Sequence, residues 1–378
     1  MVKYLVRSIT RLGYRHIAKP LLFRHQPDAV HKGLITTARQ VQMIPGVRQL
    51  PRLWAAQSAM LETEVAGVRY KNPIGLSAGL DKKIEMPFLM KSVGFGWMTG
   101  GSITFGQYEG NSGDWYFRLP KTKSIVVNAG LPSEGTPVVV ERLARYPASL
   151  FRDFPLSVSV AKTNSKQTAT DKQAIKDYAQ SLAAFDLLDQ VATLEINISC
   201  PNTFGGEPFT TPARLEALLV AVDELTLKKP VYIKMPINLP FAEFDALLAV
   251  IARHKVAGVA IGNLFKDRQR AKLKDVLPEH VKGNLSGTPT KEATTELVRR
   301  AYRKYGKKLV IVGIGGVMSA EDAYEKIKAG ASLIGLISGL MFEGPQLVGD
   351  INAGLIRLLK TDGYASIADA VGRDAGRK

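Results

Sequence analysis

The chain has 378 residues, 46% hydrophobic and 22% charged, with a formal net charge of +17, one cysteine and five histidines. That balance suits an ordinary apolar core larger than the commonest domain, excludes an internal disulfide and offers no metal-ligand spacing. No apolar run reaches the roughly 18 residues of a membrane span, and the charge invites an anionic partner without choosing among nucleic acid, lipid surface and phosphorylated ligand.

Residues 1–60 stand apart: ten basic residues, from Lys3 to Arg52, face a single acid, Asp28. Lys3, Arg7, Arg11 and Arg15 recur every fourth position and share one helix face, with Val2, Leu5, Val6, Ile9 and Leu12 supplying apolar surface beside it. No uninterrupted apolar core follows, so the segment is not read as a cleaved export signal. A second helix is expected from Pro27-Asp28, carrying Val30, Leu34, Ile35, Ala38 and Val41 and ending near Pro45-Gly46. Residues 1–60 are therefore expected as a basic helical extension. It either plugs the bottom of a barrel formed by the rest of the chain or lies on a membrane surface with its basic face toward anionic lipid.

From there on, short apolar runs alternate with helical patterns. Strands are expected at 73–77, 97–101, 156–160, 194–198, 231–235, 258–262, 309–313 and 333–337. Helices are expected at 172–188, 214–227, 241–254, 291–305 and 320–329. Eight such strands are the sequence form of an α/β fold, a (β/α)8 TIM barrel over 61–378 with a small amino-terminal helical extension. No tandem repeat interrupts it.

The fourth strand runs through Leu194, Ile196 and Ile198, alternating with Glu195, Asn197 and Ser199, into Cys200-Pro201-Asn202-Thr203. Pro201 cannot continue the ladder, so two amides, a thiol and hydroxyls gather at the carboxyl end of a barrel strand, where such folds place their chemistry. A lone cysteine is more often a small buried hydrophobe, but Asn197 and Asn202 carry donors and acceptors that an apolar core leaves unsatisfied. After the seventh strand, Gly313-Ile314-Gly315-Gly316 precedes a helix and lets backbone N–H groups approach a phosphate. The turns at Ser286-Gly287 and Ile337-Ser338 can share that phosphate.

Asn197-Ile198-Ser199-Cys200-Pro201-Asn202-Thr203 resembles the active-site segment of dihydroorotate dehydrogenases, and the likeness extends over nearly the whole chain. The resemblance implies oxidation of dihydroorotate to orotate in pyrimidine biosynthesis with FMN as cofactor. It places Ala78, Gly79, Ser102, Thr104, Ser159, Lys234, Ser286, Gly287, Gly315, Gly316, Ile337 and Ser338 around FMN. Lys82 and the amides of Asn128, Asn197, Asn202 and Asn263 fall around the substrate, and Cys200 falls at the position of the base. A thiol, with an ordinary pKa of about 8.5, surrenders its proton more readily than a serine hydroxyl.

The extension is similar to that of the class 2, quinone-dependent enzymes, and Gln26-Pro27-Asp28-Ala29-Val30-His31 and Phe117-Arg118-Leu119-Pro120 place His31 and Arg118 along a quinone tunnel. This implies a monomer held peripherally on the cytoplasmic side of the inner membrane, with quinone as acceptor and no nucleic-acid partner. Cys200 and Val127-Asn128-Ala129-Gly130-Leu131-Pro132 are instead similar to class 1 enzymes; class 2 has serine at the base position. Leu264 and Ser159 stand where class 2 has threonine and asparagine. The alternatives are a class 1A-like enzyme using fumarate or another soluble acceptor, an FMN barrel acting on a different pyrimidine, and a basic binding protein on a barrel without chemistry.

Overall fold

The structure is a computed structural model that describes residues 2–200, 206–207 and 209–376. Eight parallel strands close into a barrel: β1 (Ile74–Leu76), β2 (Trp97–Ile103), β3 (Leu156–Val160), β4 (Thr193–Asn197), β5 (Val231–Met235), β6 (Gly258–Ile261), β7 (Val310–Ile314) and β8 (Leu333–Leu336). Each pairs with the next and β8 returns to β1, with Ile334, Gly335 and Leu336 opposite Ile74, Gly75 and Leu76. Every residue of β3, β4 and β5 is buried, as expected of strands covered by helices outside and side chains inside. At the amino-terminal end, the Trp97 indole donates to Pro73 O at 3.0 Å and lies where a Cβ on Gly75 would stand. Glycine at 75 is what admits it.

Two pieces of sheet lie outside the barrel. A hairpin of Thr63–Val65 and Val68–Tyr70 precedes β1. Tyr116–Leu119 and Ser124–Val127 form a second hairpin, joined by Asn284–Leu285 into a three-stranded sheet beside the carboxyl-terminal mouth.

The extension forms α1 (Val2–Gly13), a π-helical turn (Tyr14–Ala18), α2 (Lys19–Phe23) and, after a break, α3 (Pro27–Val41). Pro27 opens α3 and Asp28 adds a negative charge to its first turn, where the helix dipole favours one. Of the expected basic face of α1, Arg7 and Arg11 meet the barrel, while Lys3 and Arg15 stay exposed. Arg7 is buried, with Nε 3.2 Å from Asp350, and Arg11 Nη2 lies 2.8 Å from the same carboxylate. Arg7 also donates to Trp54 O at 3.2 Å. Further along, the Tyr14 hydroxyl donates to Met341 O at 2.6 Å and Lys19 Nζ to Phe342 O at 3.0 Å, while the Phe23 and Phe342 rings meet edge to face at 5.9 Å. Ion pairing has turned Arg7 and Arg11 toward Asp350, and Val2, Leu5, Ile9, Leu12, Ile17, Leu21, Leu34, Met43 and Ile44 are each more than half exposed. The docked segment lies across the mouth of the barrel and not at its bottom.

Asp350→Ala strips both arginines of their shared carboxylate. It is expected to weaken docking by about 1.5–3 kcal/mol, the worth of hydrogen bonds to charged groups. Limited proteolysis should then cleave within residues 2–50 faster while the barrel core stays resistant. Unchanged protection would place the anchor elsewhere.

Candidate active site

The carboxyl ends of the strands converge on two adjoining cavities. The larger, about 190 Å3, is lined by Ala78, Gly79 and Lys82 after β1, Ser102 on β2, Asn197 and Cys200 at β4, Lys234 on β5 and Asn263 after β6, and it runs out past Tyr116, Arg118, Pro27 and His31 toward the extension. The smaller, about 110 Å3, is lined by Ser286, Gly287, Thr290, Gly315, Gly316, Ser338 and Gly339. Ala78, Lys234, Asn263, Leu264, Ser286, Ile337 and Ser338 border both, so the two are one continuous crevice.

A chain of hydrogen bonds fixes the floor of the larger cavity. Asn197 Nδ2 donates to Ser102 Oγ at 2.9 Å, and its Oδ1 accepts from the Ser199 amide at 3.2 Å and hydroxyl at 3.1 Å. Asn263 Nδ2 donates to Ser199 O at 2.6 Å and to Ser199 Oγ at 2.7 Å, and Asn263 Oδ1 accepts from the Leu264 amide at 2.8 Å. Networks satisfied in this way hold side chains in one rotamer. Tyr178 donates its hydroxyl proton to Asn197 O at 2.8 Å beneath Cys200, and burial pushes its pKa well above the ordinary tyrosine value.

At the other wall, Lys82 Nζ donates to Gly79 O at 2.7 Å and to the Tyr116 hydroxyl, and lies 5.2 Å over the Tyr116 ring. Asp81 does not pair with it. That carboxylate is buried and accepts from the Glu85 and Met86 amides at 2.8 and 2.9 Å; burial raises its pKa to about 6 against the lowering effect of those bonds. In the smaller cavity Gly315 and Gly316 have φ of 103° and 70°, and a Cβ on either would run into Thr290 or Lys291. A side chain there breaks the turn instead of filling the cavity. Ser286 and Ser338 join their two turns through a 3.0 Å hydroxyl contact.

Not every residue expected at the site lies on it. The Thr104 hydroxyl turns away to Gly106 O at 2.6 Å, and Ser159 is fully buried against Ser102 at 2.8 Å, one layer behind the cavity. Asn128 accepts from Asn111 at 3.3 Å beside the lining residues Val127 and Ala129. Asn202 lies outside the described residues. Conversely, Tyr116 and Met341 line the cavity without having been singled out in the sequence. For Tyr116 a signal existed: two alternating runs around Pro120-Lys121-Thr122-Lys123 read as a hairpin.

A family profile described as dihydroorotate dehydrogenase matches residues 60–359. The chain belongs to the dihydroorotate dehydrogenase family. It is 35% identical over 378 residues to a dihydroorotate dehydrogenase (quinone) of Deinococcus radiodurans, covering 94% of this chain and 98% of that one. It is 32% identical over 345 residues to a protein of the same name from Christiangramia forsetii, covering 90% and 97%. Among solved structures, the dihydroorotate dehydrogenase of Eimeria tenella in complex with ferulenol superposes with a TM-score of 0.83 at 25% identity, covering 93% of this chain and 96% of that chain. The protein is thus an oxidoreductase, a dihydroorotate dehydrogenase similar to quinone-type relatives along the extension as well as the barrel.

In this dihydroorotate dehydrogenase the passage between the barrel mouth and the extension is built by side chains of both. Arg118 donates to His25 O at 2.7 Å and Leu22 O at 3.3 Å, with its guanidinium 4.8 Å from the Phe23 ring centre. Asp28 accepts from the Trp115 and Tyr116 amides at 3.1 and 3.2 Å, pinning α3 to the hairpin. His31 packs on Tyr116 at 5.1 Å between ring centres. Burial, and then the Lys82 ammonium, lower the His31 pKa to about 3, so the imidazole is neutral throughout the physiological range.

The unfolded chain protonates His31 below its ordinary value of 6.5, whereas the folded chain resists until about 3. Wild type should therefore lose stability relative to His31→Gln as pH falls through that window, by about 1.4 kcal/mol per pH unit. Denaturation curves of the two proteins at pH 7, 6 and 5 measure this. A difference independent of pH would contradict the buried neutral imidazole.

Proposed function

We propose that this protein oxidises dihydroorotate to orotate with FMN as cofactor and passes the electrons to a quinone that reaches the site between extension and barrel. The observation that carries the reading is the single crevice joining a glycine-lined end at Gly315 and Gly316, a slot walled by Ala78 and Gly79, and an outlet at His31 and Arg118.

The residues present fit FMN. Gly79 at φ 124° stands where a Cβ would come within 3.3 Å of Ile337, so the slot between them is thin. Backbone amides of the turns at Gly287, Gly315, Gly316 and Ser338 suit a phosphate, and Lys234 and Ser102 border the ring end. An FMN held by these residues would supply a hydride acceptor for C6 of the substrate. Lys82, at the opposite wall, fits the substrate carboxylate, and the amides of Asn197 and Asn263 donate and accept around its ring, with Asn128 beside the lining residues and Asn202 a further amide by family resemblance. Cys200 takes the proton from C5 at Sγ. Tyr178 keeps its own proton at neutral pH and is committed to Asn197 O, which leaves the thiol as the acid–base group of that strand end. Ser159 would act on a bound ring only through Ser102, and Thr104 is committed to Gly106 O.

Leu264 at the class 2 threonine position removes a hydroxyl from the pocket wall, worth about 0.5–1.5 kcal/mol in a neutral hydrogen bond; its amide, held by Asn263, keeps the loop in place. The outward apolar side chains of α1, α2 and α3 support peripheral association with a membrane, where a long-chain quinone is dissolved. No helix among the described residues is long and apolar enough to cross one. A second reading, a soluble acceptor such as fumarate, is favoured by Cys200 and by the class 1-like segment from Val127 to Pro132.

Anaerobic mixing with dihydroorotate tests the chemistry. Wild type should be yellow and bleach on mixing. Cys200→Ala should keep its flavin and bleach roughly 10²–10⁴-fold more slowly, and Cys200→Ser should recover part of the rate with an optimum at higher pH. A colourless wild type would overturn the cofactor, and normal bleaching of Cys200→Ala would overturn the base.

A further inference from the structure

Glu195 belongs to the motif that ends at Cys200, yet nothing in the reaction described so far uses it. Its side chain lines a small cavity inside the closed barrel and is 6% exposed, and the Lys234 side chain beside it is 8% exposed. In the β4–β5 register Asn197 faces Lys234 and Glu195 faces Tyr232, so the carboxylate lies one layer below the ammonium. Glu195 Oε1 stands 4.0 Å from Lys234 Nζ. That is ion-pair distance but too long for a hydrogen bond, so the ammonium is attracted downward while its N–H groups stay available to the crevice that Lys234 lines. On the far side of Glu195 is a cavity of about 20 Å3, lined also by Thr99, Ser157, Thr193 and Tyr232. Among the described residues, neither Glu195 Oε1 nor the Tyr232 hydroxyl has a hydrogen-bond partner. A carboxylate placed there for packing alone would be costly, because a buried charge is tolerated only with compensation. The compensation available is Lys234.

We infer that Glu195 is a positioning residue, the fixed counter-charge that holds the Lys234 ammonium at the barrel rim and moderates the positive field it exerts on a ring bound above it. The inference rests on the proposal that the ring is FMN. Lys234 favours the negative charge that the ring gains on reduction, and Glu195, beneath the ammonium, opposes it.

The test is the midpoint potential of the bound flavin, read by equilibration with a reference dye. Glu195→Gln keeps the shape and removes the charge, and it should shift the reduction equilibrium about tenfold toward the reduced form, about 30 mV upward for a two-electron couple. Glu195→Asp keeps the charge one methylene further away and should give a smaller rise; it also serves if the glutamine variant folds poorly. A potential unmoved in flavin-loaded variants would overturn the role of Glu195 and leave the FMN reading standing. Wild-type protein without flavin would overturn the FMN reading itself.

Discussion

Asp350 stands between two guanidiniums, Arg7 at 3.2 Å and Arg11 at 2.8 Å, and that shared carboxylate decides which side of the amino-terminal rod meets the barrel. A basic amphipathic helix has two ways to lie: its charges can face an anionic surface, or they can face acids of its own protein. Here Arg7 and Arg11 face the protein, while Lys3 and Arg15 stay exposed. Val2, Leu5, Ile9 and Leu12 are left outside, and the rod runs over the barrel mouth, where Tyr14, Lys19 and Phe23 meet Met341 and Phe342. The passage past His31 and Arg118 exists because the rod is held in this orientation. The membrane attachment proposed above, through the apolar side, would then be a matter of buried area and less sensitive to salt than a polybasic contact.

The second constraint is closure. Eight parallel strands leave no edge, so their polar ends collect at one rim. On that rim the amides of Asn197 and Asn263 grip Ser199 and Ser102. This rigidity suits proton abstraction at a fixed atom, because a small displacement of a base forfeits much of its advantage.

How far this could be read in advance varies by element. Strands buried on both faces show as apolar runs between glycines, and the eight strand positions were legible for that reason. So was the gathering of Cys200, Asn197 and Asn263 at strand ends, because topology alone carries them to one rim. Helical periodicity told which residues share a face of α1 but not what that face meets, since Asp350 lies 339 positions from Arg11. Glu195 reads in the chain as one polar member of an alternating strand, but in a closed barrel both faces are covered, and alternation separates barrel interior from helix layer instead of core from water. Thr104 and Ser159 sit at the expected heights on their strands and turn to Gly106 and Ser102. Such a choice of hydroxyl partner depends on tertiary distances with no sequence signal.

The cysteine and the extension point to different electron acceptors, and the account gives the decision to the extension. The direct measurement is steady-state oxidation of dihydroorotate by detergent-dispersed protein, with a long-chain quinone, fumarate and NAD offered separately, using the full chain and a chain lacking residues 1–50. The account predicts that the full chain reduces quinone and neither soluble acceptor, and that the shortened chain loses quinone reduction while still reducing a small dye. Turnover with fumarate, or quinone reduction that survives removal of the extension, would contradict it.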